Sequence, residues 1–170
     1  MTPAPSGQKK VLVLMGSDSD LEVMRAAVEV LKEFQVGFEA RVLSVHRAPD
    51  LALQAASQAR ESGYQVIICG AGMAAHLAGA VASKTTLPVI GVPIQSGALK
   101  GLDSLLSTVQ MPPGVPVAAV AIDGARNAGL LAVQILALSD EGLASSLSRF
   151  KRKLTEQILE KDKKLQAELS

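Results

Sequence analysis

The feature that most constrains this chain is a repeated unit: a short, mostly apolar run, a polar or glycine-bearing segment, then apolar residues at helical spacing. Val11 to Met15, Phe38 to Leu43, Val66 to Cys69, Val89 to Val92 and Val117 to Ile122 are the runs, and each is of strand length. A strand apolar on both faces belongs to a parallel sheet covered by helices on each side. The intervening segments supply those helices. Leu21, Met24, Val28 and Leu31 recur at helical spacing within a helix expected from Asp20 to Phe34. Pro49 opens a second helix at its first turn, where a missing N–H is harmless, and Gly63 marks its end after Ser62. Ala74 to Lys84 and the alanine-rich Ala125 to Leu138 supply two more.

Such βα alternation with short links implies an α/β fold of three layers, a parallel sheet with right-handed crossovers. The working arrangement is flavodoxin-like, strand order 2-1-3-4-5, flanked by helices and followed by a long C-terminal helix. Residues 1–9 read as a disordered lead and 10–138 as the catalytic domain. In 139–170, Leu143, Leu147, Phe150, Leu154, Ile158, Leu165 and Leu169 form one stripe opposite lysines and glutamates. That stripe packs either on its own subunit or on a neighbour.

Composition excludes several classes of function. A chain of 170 residues is one domain, long enough to bury about 70% of its unfolded surface. Seventeen basic against sixteen acidic residues leave no field that favours nucleic acid or anionic lipid. Aromatics at 2%, without tryptophan, argue against base-stacking modules. No uncharged apolar stretch of about 18 residues exists, so no membrane helix is expected. Cys69 is the only cysteine, which suits a reducing, cytoplasmic setting and a role as a small core hydrophobe.

Chemistry concentrates where three runs end. Met-Gly-Ser-Asp-Ser-Asp at 15–20, Ser-Val-His-Arg-Ala-Pro-Asp at 44–50 and Gly-Ala-Gly-Met-Ala-Ala-His-Leu at 70–77 follow the first three strands, and they contain both histidines. Ligands of open α/β sheets bind at that carboxyl edge. In the first segment, Ser17, Ser19 and the free N–H groups of a helix start suit an anion, and Asp20 either caps the helix or accepts from ribose hydroxyls. In the second, Arg47 offers a planar fork for phosphate or carboxylate and Ser44 a further donor. His46 can give and take a proton near neutral pH. In the third, the glycines permit close backbone approach, and Gly70-x-Gly72 lacks the acidic residue that a dinucleotide fingerprint places about 20 positions on. His76 faces the same ligand or caps its own helix. Two distant histidines without carboxylates at ligand spacing provide no metal site. Asp103 and Asp123 are isolated, with solvated or capping roles.

Taken together these segments resemble class I N5-carboxyaminoimidazole ribonucleotide mutase, an isomerase that shifts a carboxylate in de novo purine (IMP) biosynthesis. The resemblance runs on through Leu-Pro-Val-Ile-Gly-Val-Pro-Ile-Gln-Ser at 87–96, Asp-Ser-Leu-Leu-Ser-Thr-Val-Gln-Met-Pro-Pro-Gly at 103–114 and Ala-Arg-Asn-Ala-Gly-Leu-Leu-Ala at 125–132. It implies that His46 is the general acid/base and that Ser17, Asp20 and Arg47 bind a small ribonucleotide, with Ser44, Gly72 and His76 as secondary contacts. It also implies no cofactor, an octamer with sites between subunits, and a C-terminal helix packed on a neighbour. The chain departs from the family's pattern at Val45, Ala48, Met73 and Ala78, where alanine, threonine, glycine and proline are usual. Methionine at 73 is strained by about 1 kcal/mol if that position needs φ > 0. The 94–101 stretch, Ile-Gln-Ser-Gly-Ala-Leu-Lys-Gly, is the expected mobile cover. Alternatives are a class II carboxylase using CO2 directly, against which Arg47 and Gly-Ala-Gly-Met-Ala-Ala-His count, and a non-catalytic nucleotide-binding domain.

Overall fold

The computed structural model describes residues 9–169, Lys9 by its backbone alone. The lead expected at 1–9 therefore lies, apart from Lys9, outside the described residues. Five parallel strands, β1 (Lys9–Met15), β2 (Gly37–Val42), β3 (Val66–Gly72), β4 (Val89–Ile94) and β5 (Ala118–Ala119), form one sheet in the order β2-β1-β3-β4-β5. Between and after them run α1 (Leu21–Glu33), α2 (Pro49–Gln58), α3 (Leu77–Ala82), α4 (Leu102–Val109), α5 (Ala125–Ala137) and α6 (Glu141–Leu169). This is the flavodoxin-like architecture expected.

Side chains alternate across a strand, so successive residues enter opposite layers. Val11, Val13 and Met15 join Val66, Ile68, Ile90 and Val92 beneath α1 and α5. Leu12 and Leu14 join Ile67, Cys69 and Val89 beneath α2 and α3. Apolar side chains fill both layers, which is why the central strands read as apolar runs. Burial pushes the Cys69 thiol far above its ordinary range, in keeping with a packing role.

Three elements differ in extent from the sequence reading, and one helix was missed. The fifth strand is only two residues long, not Val117 to Ile122: at the sheet edge it pairs β4 alone, and the chain turns at Ala121–Gly124 through Asp123, φ +56°. The third helix begins at Leu77 rather than Ala74, because 73–76 form tight turns, Ala75 N–H to Met73 O at 2.9 Å and His76 N–H to Ala74 O at 2.8 Å. The second ends at Gln58 and winds through Gly63, φ +87°, the residue expected to stop it. Helix α4 was hidden in the sequence between the supposed cover and a proline-rich stretch. It is fixed by Ser104, whose buried hydroxyl lies 3.0 Å from Ile94 O and 2.9 Å from Gly101 O, and Ile94 itself belongs to β4. Asp123 is neither isolated nor merely a cap. Its Oδ1 accepts from Gln95 N–H at 2.8 Å and ties the β5–α5 turn to the end of β4.

Helix α6 has two halves. Leu143, Leu147 and Phe150 pack on the core, Phe150 edge-on to Phe34 with ring centroids 5.7 Å apart. From Lys151 to Leu169 every residue is exposed, Leu154, Ile158, Leu165 and Leu169 among them. No helix among the described residues is long and apolar enough to cross a membrane.

Candidate active site

Parallel register brings the carboxyl ends of β1, β2 and β3 side by side: Met15 opposes Val42 and Gly70, and Gly16 N–H donates to Gly70 O at 3.1 Å. The three polar segments therefore meet, as the strand order requires, and enclose a cleft of about 520 Å³. That volume suits a small-molecule ligand.

The β1–α1 turn holds its shape by a capping box. Ser17 N–H donates to Asp20 Oδ2 at 2.8 Å, and Ser17 Oγ accepts from Ser19 N–H at 3.4 Å. The hydroxyls continue as a chain, Ser19 Oγ to Ser17 Oγ at 3.0 Å and Ser17 Oγ to Asp18 Oδ1 at 3.0 Å. Asp20 is therefore a capping residue and also lines the cleft. It is only 7% exposed, and desolvation raises its carboxyl above the ordinary 3.8 against the opposing pull of the Ser17 and Gly16 N–H groups and Arg47.

The β2–α2 segment folds back on Ser44, whose Oγ accepts from Arg47 N–H at 3.3 Å. Arg47 then reaches across to donate from Nη2 to Gly16 O at 2.7 Å. One guanidinium thus ties two of the three segments together. A guanidinium carries five N–H donors in all, so this bond does not exhaust it.

The β3–α3 segment makes the tightest approach. A Cβ at Gly72 would stand 2.7 Å from Ser96 Oγ and 3.3 Å from Ile94 O, so a larger residue there would displace the Ser96 hydroxyl from the cleft. Met73 has φ +54°, the strained conformation that its replacement of the usual glycine raised as a condition, and its side chain is 61% exposed. Its N–H donates to Ser96 Oγ at 3.1 Å.

His46 and His76 meet at the rim. His46 Nε2 lies 2.9 Å from His76 Nδ1, with ring centroids 5.0 Å apart and planes at 81°. His76 occupies the N-cap of α3, yet its side chain makes no capping bond, which removes the capping reading.

Ser17, Asp20, Ser44, His46, Arg47 and Gly72 all line the cleft, and His76 reaches it through His46. The residue missed by sequence reasoning is Ser96. It follows the fourth strand just as the other polar segments follow theirs, and that position was the available signal. No group of three or more histidine, cysteine, aspartate or glutamate side chains among the described residues could hold a metal ion.

Residues 10–157 match the AIR carboxylase family. The N5-carboxyaminoimidazole ribonucleotide mutase of Saccharolobus solfataricus is 57% identical over 150 residues, 88% of this chain and 95% of that protein. The Bacillus subtilis protein of the same name is 54% identical over 160 residues, 93% and 99% of the two chains. Among solved structures, Treponema denticola PurE superposes with a TM-score of 0.84 at 28% identity, covering 93% of this chain and 99% of that one.

Proposed function

Because the chain belongs to the AIR carboxylase family, we infer that it moves a carboxylate from the exocyclic N5 to ring carbon C4 of aminoimidazole ribonucleotide, the mutase step of purine biosynthesis. The observation that carries this reading is the meeting of His46 with Ser17, Asp20, Ser44, Arg47 and Gly72 in one cleft, in a chain more than half identical to proteins bearing the mutase name.

The chemistry asks little beyond a proton and a closed space. His46 protonates the carbamate nitrogen, the N–C bond breaks, and CO2 is released beside the ring. The enamine-like C4 attacks CO2, a C–C bond forms, and His46, now neutral, takes the C4 proton. A group that acts as acid and then base works best when it titrates near the operating pH, as imidazole does. Arg47, Ser17 and the start of α1 would hold the phosphate and fix the ring against His46. CO2 must not escape, so the proposed cover is the loop at 95–101, which carries Ser96 into the cleft and has positive φ at Gly97, Lys100 and Gly101.

We further propose a homo-octamer in the cytoplasm with residues 139–170 docked partly on a neighbour. Exposed apolar side chains support an assembly: Leu102, Leu106 and Val109 along α4, and Leu154, Ile158, Leu165 and Leu169 along α6.

The test is an ultraviolet assay for C-carboxylated product, offering either the N-carboxylated ribonucleotide or the uncarboxylated one with bicarbonate. Fast turnover of the former alone is expected, and His46→Asn should lower it by about 10²- to 10⁴-fold. Preference for the uncarboxylated substrate would make the chain a carboxylase, and silence with both would leave a binding domain.

A further inference from the structure

We propose that His76 is a proton-carrying positioning partner of His46, so that the two imidazoles act as a single acid–base unit. The inference rests on the mutase reading for its substrate, and on the structure for its geometry.

An N···N contact of 2.9 Å is a hydrogen bond only if one nitrogen bears a proton and the other a lone pair. His46 Nε2 and His76 Nδ1 therefore share one proton. It is the only hydrogen bond either ring makes among the described residues. The partners come from different strand ends, 30 positions apart, so the contact is not a by-product of local chain geometry. The ring of His76 is not needed by its own helix either, since α3 draws no side-chain cap from it. What holds it in this orientation is His46.

In this pairing Nδ1 of His46 is the nitrogen left for the substrate. With Nε2 committed to His76, His46 meets the ligand through Nδ1. In the acid state His46 carries its proton on Nδ1 and accepts at Nε2 from a doubly protonated His76. When the Nδ1 proton passes to the carbamate nitrogen, the shared proton crosses from His76 Nδ1 to His46 Nε2. Three ring N–H bonds become two, the third proton is on the substrate, and both rings are neutral. The bare Nδ1 of His46 then takes the C4 proton, and the shared proton returns to His76. Neither ring has to rotate between acid and base duty, and the positive charge of the acid state rests on His76. The other charged or titratable side chains lining the cleft are Asp20 and Arg47, from the β1–α1 and β2–α2 segments.

The experiment compares the wild-type protein with His76→Asn and His76→Ala, each checked for folding by circular dichroism. The chain has only two histidines, so ¹⁵N-histidine labelling reports the pair without ambiguity. In the free wild-type protein the ring nitrogens should report one proton shared between His46 Nε2 and His76 Nδ1, and in either variant that signature should vanish. Turnover should fall at least about tenfold with KM changed less than about threefold, and the pH profile of kcat should move, as for loss of part of an acid–base function. Unchanged His46 ring ¹⁵N shifts in His76→Asn would overturn the proposal. So would a raised KM with normal kcat, which would make His76 a plain substrate contact. Wild-type protein silent toward both ribonucleotides would sink the mutase reading, and the NMR comparison would still decide the pairing.

Discussion

Met73 shows how a single backbone angle shapes the site. Its φ of +54° is costly for any residue with a Cβ, and its exposed side chain recovers little by packing. Met73→Gly should therefore stabilise the fold by about 0.5–1 kcal/mol, read as a shifted urea midpoint at unchanged slope. Asp20 carries the opposite tension. Burial raises its carboxyl above 3.8, so the folded state holds a proton that the unfolded state has already released. Stability from this group is present in acid and lost as pH rises from 3.8 through the folded value. Asp20→Asn keeps an acceptor for Ser17 N–H and should flatten that decline in urea midpoints as pH rises above 3.8; an equally steep decline would place the cause elsewhere. The sequence offered capping and ligand binding as alternatives for Asp20 because both use the same oxygen atoms at the same turn. Only the 2.8 Å bond from Ser17 N–H, beside an open cleft, shows that capping leaves the residue on the cleft wall.

At the scale of elements, the central strands β1, β3 and β4 were legible because burial on both faces keeps the paired stretches apolar, and the helices where their apolar spacing was regular. The short fifth strand and α4 were not. Pairing at an edge depends on a neighbour that no local pattern reveals, and α4 keeps Leu102, Leu106 and Val109 exposed while burying the hydroxyl-bearing Ser104 and Thr108. Its polarity is inverted relative to an ordinary helix on a sheet. The packing of α1 on α5 was equally invisible. A Cβ at Gly129 would come within 2.9 Å of both Ala27 O and Val30 Cβ, so the two helices approach more closely than alanine allows. Gly129→Ala should destabilise the protein by about 1–3 kcal/mol, despite alanine's better helix propensity, because the obstacle includes backbone. A neutral or stabilising result in chemical denaturation would mean the helices separate freely.

For the whole molecule, the site belongs to the sheet's topology rather than to any one segment. Strand order 2-1-3 places three polar segments in contact, and each of them alone reads as an ordinary loop or cap. That is why the cleft could be anticipated from the motifs in sequence, while the His46–His76 bond, which depends on side chains crossing between segments, could not, and Ser96 was signalled only by its place after the fourth strand. Helix α6 sets the second property of this scale. Its first turns close the core through Leu143, Leu147 and Phe150, and the remainder stands clear. Deleting residues 154–169 should leave the fold intact by circular dichroism and lower the mass found by sedimentation. Unchanged mass would show that assembly does not use this helix. The measurement that tests the central claim most directly follows a ¹³C-labelled N5 carboxylate through turnover in unlabelled bicarbonate. Intramolecular transfer within a closed cleft predicts that the label is retained at C4 of the product. Product carrying the bicarbonate's carbon instead would contradict it and make the reaction a carboxylation from free CO2.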